Sequence, residues 1–326
     1  MSGGRRRVAR VRRAVQAIAL LTGALLALAG CAGLAVGDGE KLQIAGGGAA
    51  GVYYAYGDRL AAELRDELGI DISVVETHGS VDNLTRVADG SAIVGFAQGD
   101  TAADAIAGTG DFSEPLAVQA IARVYDEFVH VVVPADSDID ELAELAGRRV
   151  SLGAPNSGVQ VIATRVLAAA GVEREQLRVS ELGVNASIEA MRTGRIDAFF
   201  WVGGVPTPGI AQFAEATPVR LLSIDPSTVE RVNAGHAGVY RTADFPVAAY
   251  ETDAPTATMT VPNYLVTASS ADPDLVRELT RVLFARAPEI ARTVPAAHLL
   301  DRRQAIFTEP IELHSGAVTY YRDARN

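Results

Sequence analysis

One local pattern occurs twice in this chain and sets what it can fold into. Leu42-Gln43-Ile44-Ala45 reads as a short strand that runs into the loop Gly46-Gly47-Gly48-Ala49-Ala50-Gly51. A helix follows from about Val52 to Leu68, with Leu60, Leu64 and Leu68 on one face and Gly69 as its stop. Further on, Arg149-Val150-Ser151-Leu152 runs into Gly153-Ala154-Pro155-Asn156-Ser157-Gly158 and a helix ending near Ala170. A strand that turns through a Gly/Ser loop into a helix, with another strand beyond, is the building unit of a parallel sheet. The first copy is continued by strands over Ile70–Val75 and Ala92–Ala97, the second by Ile196–Trp201 and Val219–Ile224. The spacing predicts an α/β chain of two lobes, each a mixed, mainly parallel sheet flanked by helices.

The remaining segments connect these lobes. Leu116 to Val133 is long, apolar and valine-rich, and Met259 to Ala268 is a second such run. Both are expected to cross between lobes as a hinge, near Phe128–Val133 and Met259–Val266. Residues 41–126 with 257–326 then form lobe 1, and residues 127–256 form lobe 2. Ser80 is expected to cap a helix through Ala88, and Asn185 one over Ile188–Arg192. Leu142–Leu145 reads as a short helix, Ser227–Thr256 as irregular, and Pro273–Ala287 as a helix.

The first thirty residues have a different character. They hold Arg5, Arg6, Arg7, Arg10, Arg12 and Arg13, and none of the chain's 40 acidic residues. Ala14–Ala29 is uncharged and apolar, short for a membrane span and of the right length for an export signal. It ends in Leu28-Ala29-Gly30-Cys31, which resembles a bacterial lipobox. The resemblance implies removal of residues 1–30 and a lipid on Cys31, whose acyl methylenes each contribute about 0.8 kcal/mol to membrane attachment. Residues 31–40 then read as a lipidated, flexible tether. Cys31 is the single cysteine, which excludes an internal disulfide, a Cys-rich zinc site and an iron–sulfur cluster. A net charge of −11 argues against a nucleic-acid partner.

Three loops carry the candidate chemistry. Gly46, Gly48 and Gly51 fit G-x-G-x-x-G between strand and helix, with Glu76 ending the next strand, which is the layout of a dinucleotide site. An exported oxidoreductase using NAD or NADP is therefore one reading. The same loop, with no cofactor, also lets backbone N–H groups approach a small anion at a helix start. Thr77-His78-Gly79-Ser80 and Asn156-Ser157-Gly158 repeat that arrangement. Catalytic patterns are poor. The five histidines are scattered, G-x-S-x-G and H-E-x-x-H do not occur, and Asp136, Asp138, Asp140 and Glu141 lack the glycine of a calcium loop. A binding protein is favoured over an enzyme, with no cofactor and no metal.

Four segments together resemble one family. They are Ala45-Gly-Gly-Gly-Ala-Ala-Gly-Val-Tyr53-Tyr54, Glu76-Thr-His-Gly-Ser-Val-Asp-Asn-Leu84, Gly153-Ala-Pro-Asn-Ser-Gly158 and Ile196-Asp-Ala-Phe-Phe-Trp-Val-Gly-Gly-Val-Pro206. The chain resembles the TAXI proteins, the solute-binding subunits of a class of TRAP transporters, from about Lys41 into the C-terminal tail. That resemblance implies a periplasmic-binding-protein fold of type II-like form. It also implies capture of a small carboxylate, of the glutamate, glutamine or 2-oxoglutarate kind, and delivery to a membrane permease. The expected ligand-binding residues are Gly47, Gly48, Tyr53, Ser80, Asn83, Gln98, Ser157, Trp201 and Gly203. Tyr53 and Trp201 are suited to flat walls with polar edges, Asn83 and Gln98 to hydrogen bonding. No recognised loop contains an arginine, so carboxylate capture is expected from backbone N–H and hydroxyl donors.

Overall fold

The computed structural model describes residues 41–246, 250 and 255–325. The export signal, Cys31 and the tether lie outside the described residues. The chain opens with β1 (Leu42–Ala45), α1 (Val52–Leu68), β2 (Ile72–Val75), α2 (Ser80–Ala88), β3 (Val94–Gln98) and α3 (Gly99–Ala107). The long strand β4 (Val118–Pro134) leads into β5 (Arg149–Ser151), α4 (Gly158–Ala169), β6 (Arg178–Ser180), α5 (Val184–Arg192) and β7 (Ala198–Gly203). Then come α6 (Pro208–Ala216), β8 (Val219–Leu221), α7 (Pro226–Gly235), β9 (Arg241–Phe245) and β10 (Thr256–Ala268). Helices α8 (Pro273–Ala285), α9 (Ala287–Ala291) and α10 (Ser315–Asp323) close the chain.

The strands form one continuous hydrogen-bonded series in the order β2-β1-β3-β10-β4-β7-β5-β6, with β8 on β4 and β9 on β10. The outer pairs β1/β2, β1/β3, β5/β6 and β5/β7 are parallel, as the repeated strand–loop–helix units require. The inner pairs are antiparallel, because β4 and β10 run in opposite directions through the middle. β4 pairs β10 from Val118 to Phe128, then takes β7 from Phe128 to Val132. The change of partner falls beside Tyr125, Asp126 and Glu127, which face Asn263, Pro262 and Val261.

Each half has its own apolar core. On the α2–α3 side, Leu84, Val87, Ala97, Ala102, Ala105, Tyr264 and Val266 pack together. On the α4 side, Val131, Val150, Ile162, Val166, Phe200 and Ile224 do so. Helix α1 buries Tyr53, Tyr56, Leu60 and Leu64, the stripe expected of a helix with one inward face.

Several boundaries differ from the sequence expectation. Ser80 is the first residue of α2, and Gly79 takes the cap position without a side-chain cap. Likewise α5 begins at Val184 after Gly183, so Asn185 lies inside its first turn and is not its cap. The segment expected to be irregular contains α7, capped by Asp225, and β9. Helix α3 was not anticipated, since Gly99 and Asp100 give its start little helical propensity. Leu142–Leu145 is a single 3₁₀ turn.

Candidate functional site

Four helix starts surround one cavity of about 380 Å³. Gly51, Val52 and Tyr53 of α1, Gly79 and Ser80 of α2, Ser157, Gly158 and Val159 of α4, and Gly183 to Ala186 of α5 all line it. The first N–H groups of any helix lack partners within it and carry the positive end of its dipole. At α1, α2 and α5 the cap residue is a glycine, and no side chain covers those N–H groups. Only α4 is capped, by Ser157, whose Oγ accepts from Gln160 N–H. Among the described residues no lysine or arginine lines the cavity. Around the helix starts the wall is thus donor-rich, an arrangement suited to a small anion, while the carboxyls of Glu76 and Glu127 also line the cavity.

The loops are strapped to one another. Gly47 N–H donates to Thr77 Oγ1 at 2.8 Å, and Ala49 N–H donates to Glu76 Oε1 at 3.1 Å. The acid ending β2 therefore fastens the glycine loop. Asn83 stands behind this wall, fully buried, where it accepts from Thr77 Oγ1 and donates to Phe96 O. It fixes the loop and does not face the cavity, because α2 turns it toward β3. Gly203 is also absent from the lining. Its bare Cα lies against the Trp201 indole, where a side chain would overlap the ring. Gly47, Gly48, Tyr53, Ser80, Gln98, Ser157 and Trp201 do line the cavity.

Within that set the roles differ from the expectation of polar edges. Tyr53 stacks on Phe96 with ring centroids 5.2 Å apart, and its hydroxyl donates to Asn263 Oδ1. The Trp201 indole N–H donates to Thr207 Oγ1 at 3.0 Å. Both rings offer apolar faces and keep their polar ends engaged. The Ser157 hydroxyl donates to Ala154 O, so this side chain serves its own turn. Ser80 Oγ accepts from Gln98 N–H at 3.1 Å.

A lining residue that sequence reasoning missed is Glu127. It is 4% exposed at the partner change of β4 and lines the cavity. Its Oε2 accepts from Gln98 Nε2 at 3.0 Å and its Oε1 from Tyr125 OH at 3.1 Å. Burial pushes its carboxyl up to about 7, against the opposing pull of hydrogen bonds from Gln98, Tyr125 and Asn263. The available signal was an acid next to Asp126 inside a valine-rich strand. Gln98 Oε1, fully buried, has no hydrogen-bond partner.

Elsewhere, several titratable groups have structural partners. His130 is buried, with Nδ1 2.9 Å from Phe128 O and Nε2 2.7 Å from Tyr250 OH, and burial holds it neutral, down to about 4. Asp138 and Asp140 pair with Arg148 and Arg220. Among the described residues there is no cluster of three or more metal-ligating side chains.

A family model described as NMT1-like matches residues 44–324. The chain belongs to the NMT1-like family. This is a family of periplasmic substrate-binding proteins, and its members are receptors, not enzymes. Solved structures agree on the fold. PhnD1 from Prochlorococcus marinus (MIT 9301), in complex with methylphosphonate, superposes with a TM-score of 0.55 at 13% identity. That match covers 87% of this chain and 95% of PhnD1. A protein from Bordetella bronchiseptica RB50 gives 0.51 at 19% identity, covering 86% of this chain and 88% of the other. The NMT1-like chain is accordingly a periplasmic substrate-binding protein with a two-lobed α/β fold. No helix among the described residues is long and apolar enough to cross a membrane.

Proposed function

We propose that this chain is the lipid-anchored receptor of a TRAP-type secondary transporter, and that it captures a small carboxylate-bearing solute for the permease. The observation that carries the carboxylate reading is the convergence of four helix starts, three with glycine caps, on one cavity with no lysine or arginine among the described residues that line it. Two oxygens of a planar carboxylate accept from such backbone N–H groups without a buried cation to desolvate. The glutamate, glutamine and 2-oxoglutarate class fits a cavity of about 380 Å³ with apolar faces from Tyr53 and Trp201. The TRAP assignment rests on the four segments that resemble TAXI proteins. In this reading residues 41–126 and 257–326 form lobe 1, residues 127–256 form lobe 2, and Cys31 carries the lipid.

A calorimetric panel of carboxylates, sulfonates and phosphonates on the purified protein tests the ligand class. Binding confined to carboxylates supports it, and tighter binding of a sulfonate or phosphonate overturns it. Uptake into vesicles containing the permease is expected to follow an ion gradient. Strict dependence on ATP would refute the TRAP assignment. Cys31→Ser is expected to move the protein from the detergent phase to the aqueous phase, and unchanged partitioning would remove the anchor.

A further inference from the structure

The cavity has two chemically different poles. Around the helix starts it offers donors, whereas at Gln98 and Glu127 it offers acceptors. Glu127 is an interior carboxyl whose hydrogen-bonding neighbours, Gln98 Nε2, Tyr125 OH and Asn263, are all neutral, and it takes part in no ion pair among the described residues. The other lining acid, Glu76, is exposed and holds the glycine loop through Ala49 N–H. Because Gln98 Nε2 points at Glu127, the amide oxygen is turned the other way, where it is buried without a partner. It lies against Gly158, where any side chain would overlap it. A carboxylate and, at the far end of the amide bonded to it, an orphan oxygen are the wrong lining for an anion and the right one for a multiple N–H donor.

We propose that Glu127 and the amide oxygen of Gln98 form an ammonium-binding pole, so that the solute is an amino acid carried as its zwitterion. This rests on the carboxylate reading of the helix starts and narrows it. The ligand carboxylate lies toward the uncapped N–H groups and its ammonium toward Glu127. The Tyr53 and Trp201 faces cover what lies between. The ammonium supplies the charge that a buried carboxylate otherwise lacks, which makes the pole a selectivity device against oxo-acids and plain carboxylates. The neighbouring charge on this side, Asp100 of α3, is already paired with Arg165, so it does not compete for the ammonium.

The test is isothermal calorimetry on wild type and Glu127→Gln with matched acids: L-glutamate, 2-oxoglutarate and glutarate, then L-leucine, 4-methyl-2-oxopentanoate and 4-methylpentanoate. In the wild type the best amino acid is expected to bind roughly ten- to a hundredfold more tightly than its oxo and deamino counterparts, the span of one charge-assisted hydrogen-bonded contact. In Glu127→Gln, which keeps the shape and the Tyr125 contact, that preference is expected to collapse while binding of the plain carboxylate persists. Residual plain-carboxylate binding shows that the variant is folded. Circular dichroism and a thermal melt supply the same control where plain carboxylates are weak. Equal affinity for amino, oxo and deamino acids in the wild type would overturn the ammonium pole and leave the carboxylate reading standing. The same holds for an amino-acid preference unchanged in Glu127→Gln. A panel in which no carboxylate binds would overturn both.

Discussion

A carboxyl held in the interior without a cation has a measurable signature at the scale of one residue. Glu127 has an ordinary value of 4.5 that burial raises to about 7 in the folded chain. Between those values the folded protein holds a proton that the unfolded chain has released. Stability from this group is therefore complete below about pH 4.5 and lost as pH rises through about 7. For a shift of this size the loss is on the order of 2–3 kcal/mol between pH 5 and pH 8. Glu127→Gln is expected to remove that slope, so its advantage over wild type in urea unfolding grows with pH. Parallel pH profiles for the two proteins would show that Glu127 titrates normally. Trp201 allows a second check. Its indole N–H is engaged by Thr207, so what it gives a solute is apolar area, at ~25 cal/mol per Å² covered. Trp201→Ala is expected to weaken binding of a confirmed ligand, and undiminished affinity would make it a core residue only.

At the scale of elements, the serines that open α2 and α4 look alike in sequence and act differently. Ser157 caps α4 and also donates to Ala154 O, so Ser157→Ala is expected to cost about 1 kcal/mol of stability. Its effect on affinity is expected to stay under ~0.5 kcal/mol, and a large calorimetric loss without a change in melting would reverse that assignment. Ser80 lies one residue further in and tethers Gln98 N–H. The difference was not legible, because Gly79 takes the cap at a φ of 122°, a backbone choice that a glycine permits without announcing. The strand–loop–helix units were legible, since a period of two giving way to a period of 3.6 across a glycine run is a local signal. Asn83, expected as a ligand-binding residue, stands behind the cavity wall for a related reason. Its position one turn into α2 is readable, but which loop it fastens depends on Thr77 and Phe96, brought together by β2 and β3. Glu127 was passed over because the valines around it mark a buried strand, and only the cleft beside β4 shows that its carboxyl has somewhere to act.

For the whole molecule, the question is what holds the two halves around the cavity. Arg165 of α4 pairs with Asp100 and Asp104 of α3, and Tyr240 donates to Asp100. This joins the helix of the second strand–loop–helix unit to a helix that follows the first unit. The cluster is buried: burial draws the Asp100 carboxyl above its usual range, while Arg165 and Tyr240 oppose that pull. Backbone contact adds to it, with Asp82 N–H donating to Asn156 O at 3.4 Å. In a two-lobed receptor a ligand shifts the population toward the form in which it touches both walls. Contacts such as Arg165–Asp100 are expected to bias that equilibrium before any ligand arrives. Removing one partner from a buried pair typically costs about 3–5 kcal/mol, because the other charge is left uncompensated. Here that cost falls on the form in which the halves meet, since in an open form Asp100 regains water. Arg165→Gln is therefore expected to increase the radius of gyration in small-angle scattering without ligand. It is also expected to weaken apparent affinity at least about tenfold, as the competent fraction falls. Saturating ligand is expected to restore the smaller radius. The exposed pair Arg192–Glu189 provides the control, since Arg192→Gln on the surface of α5 is expected to change neither quantity. An Arg165→Gln protein with wild-type scattering and wild-type affinity would mean that the cluster stabilises the fold and has no part in closure.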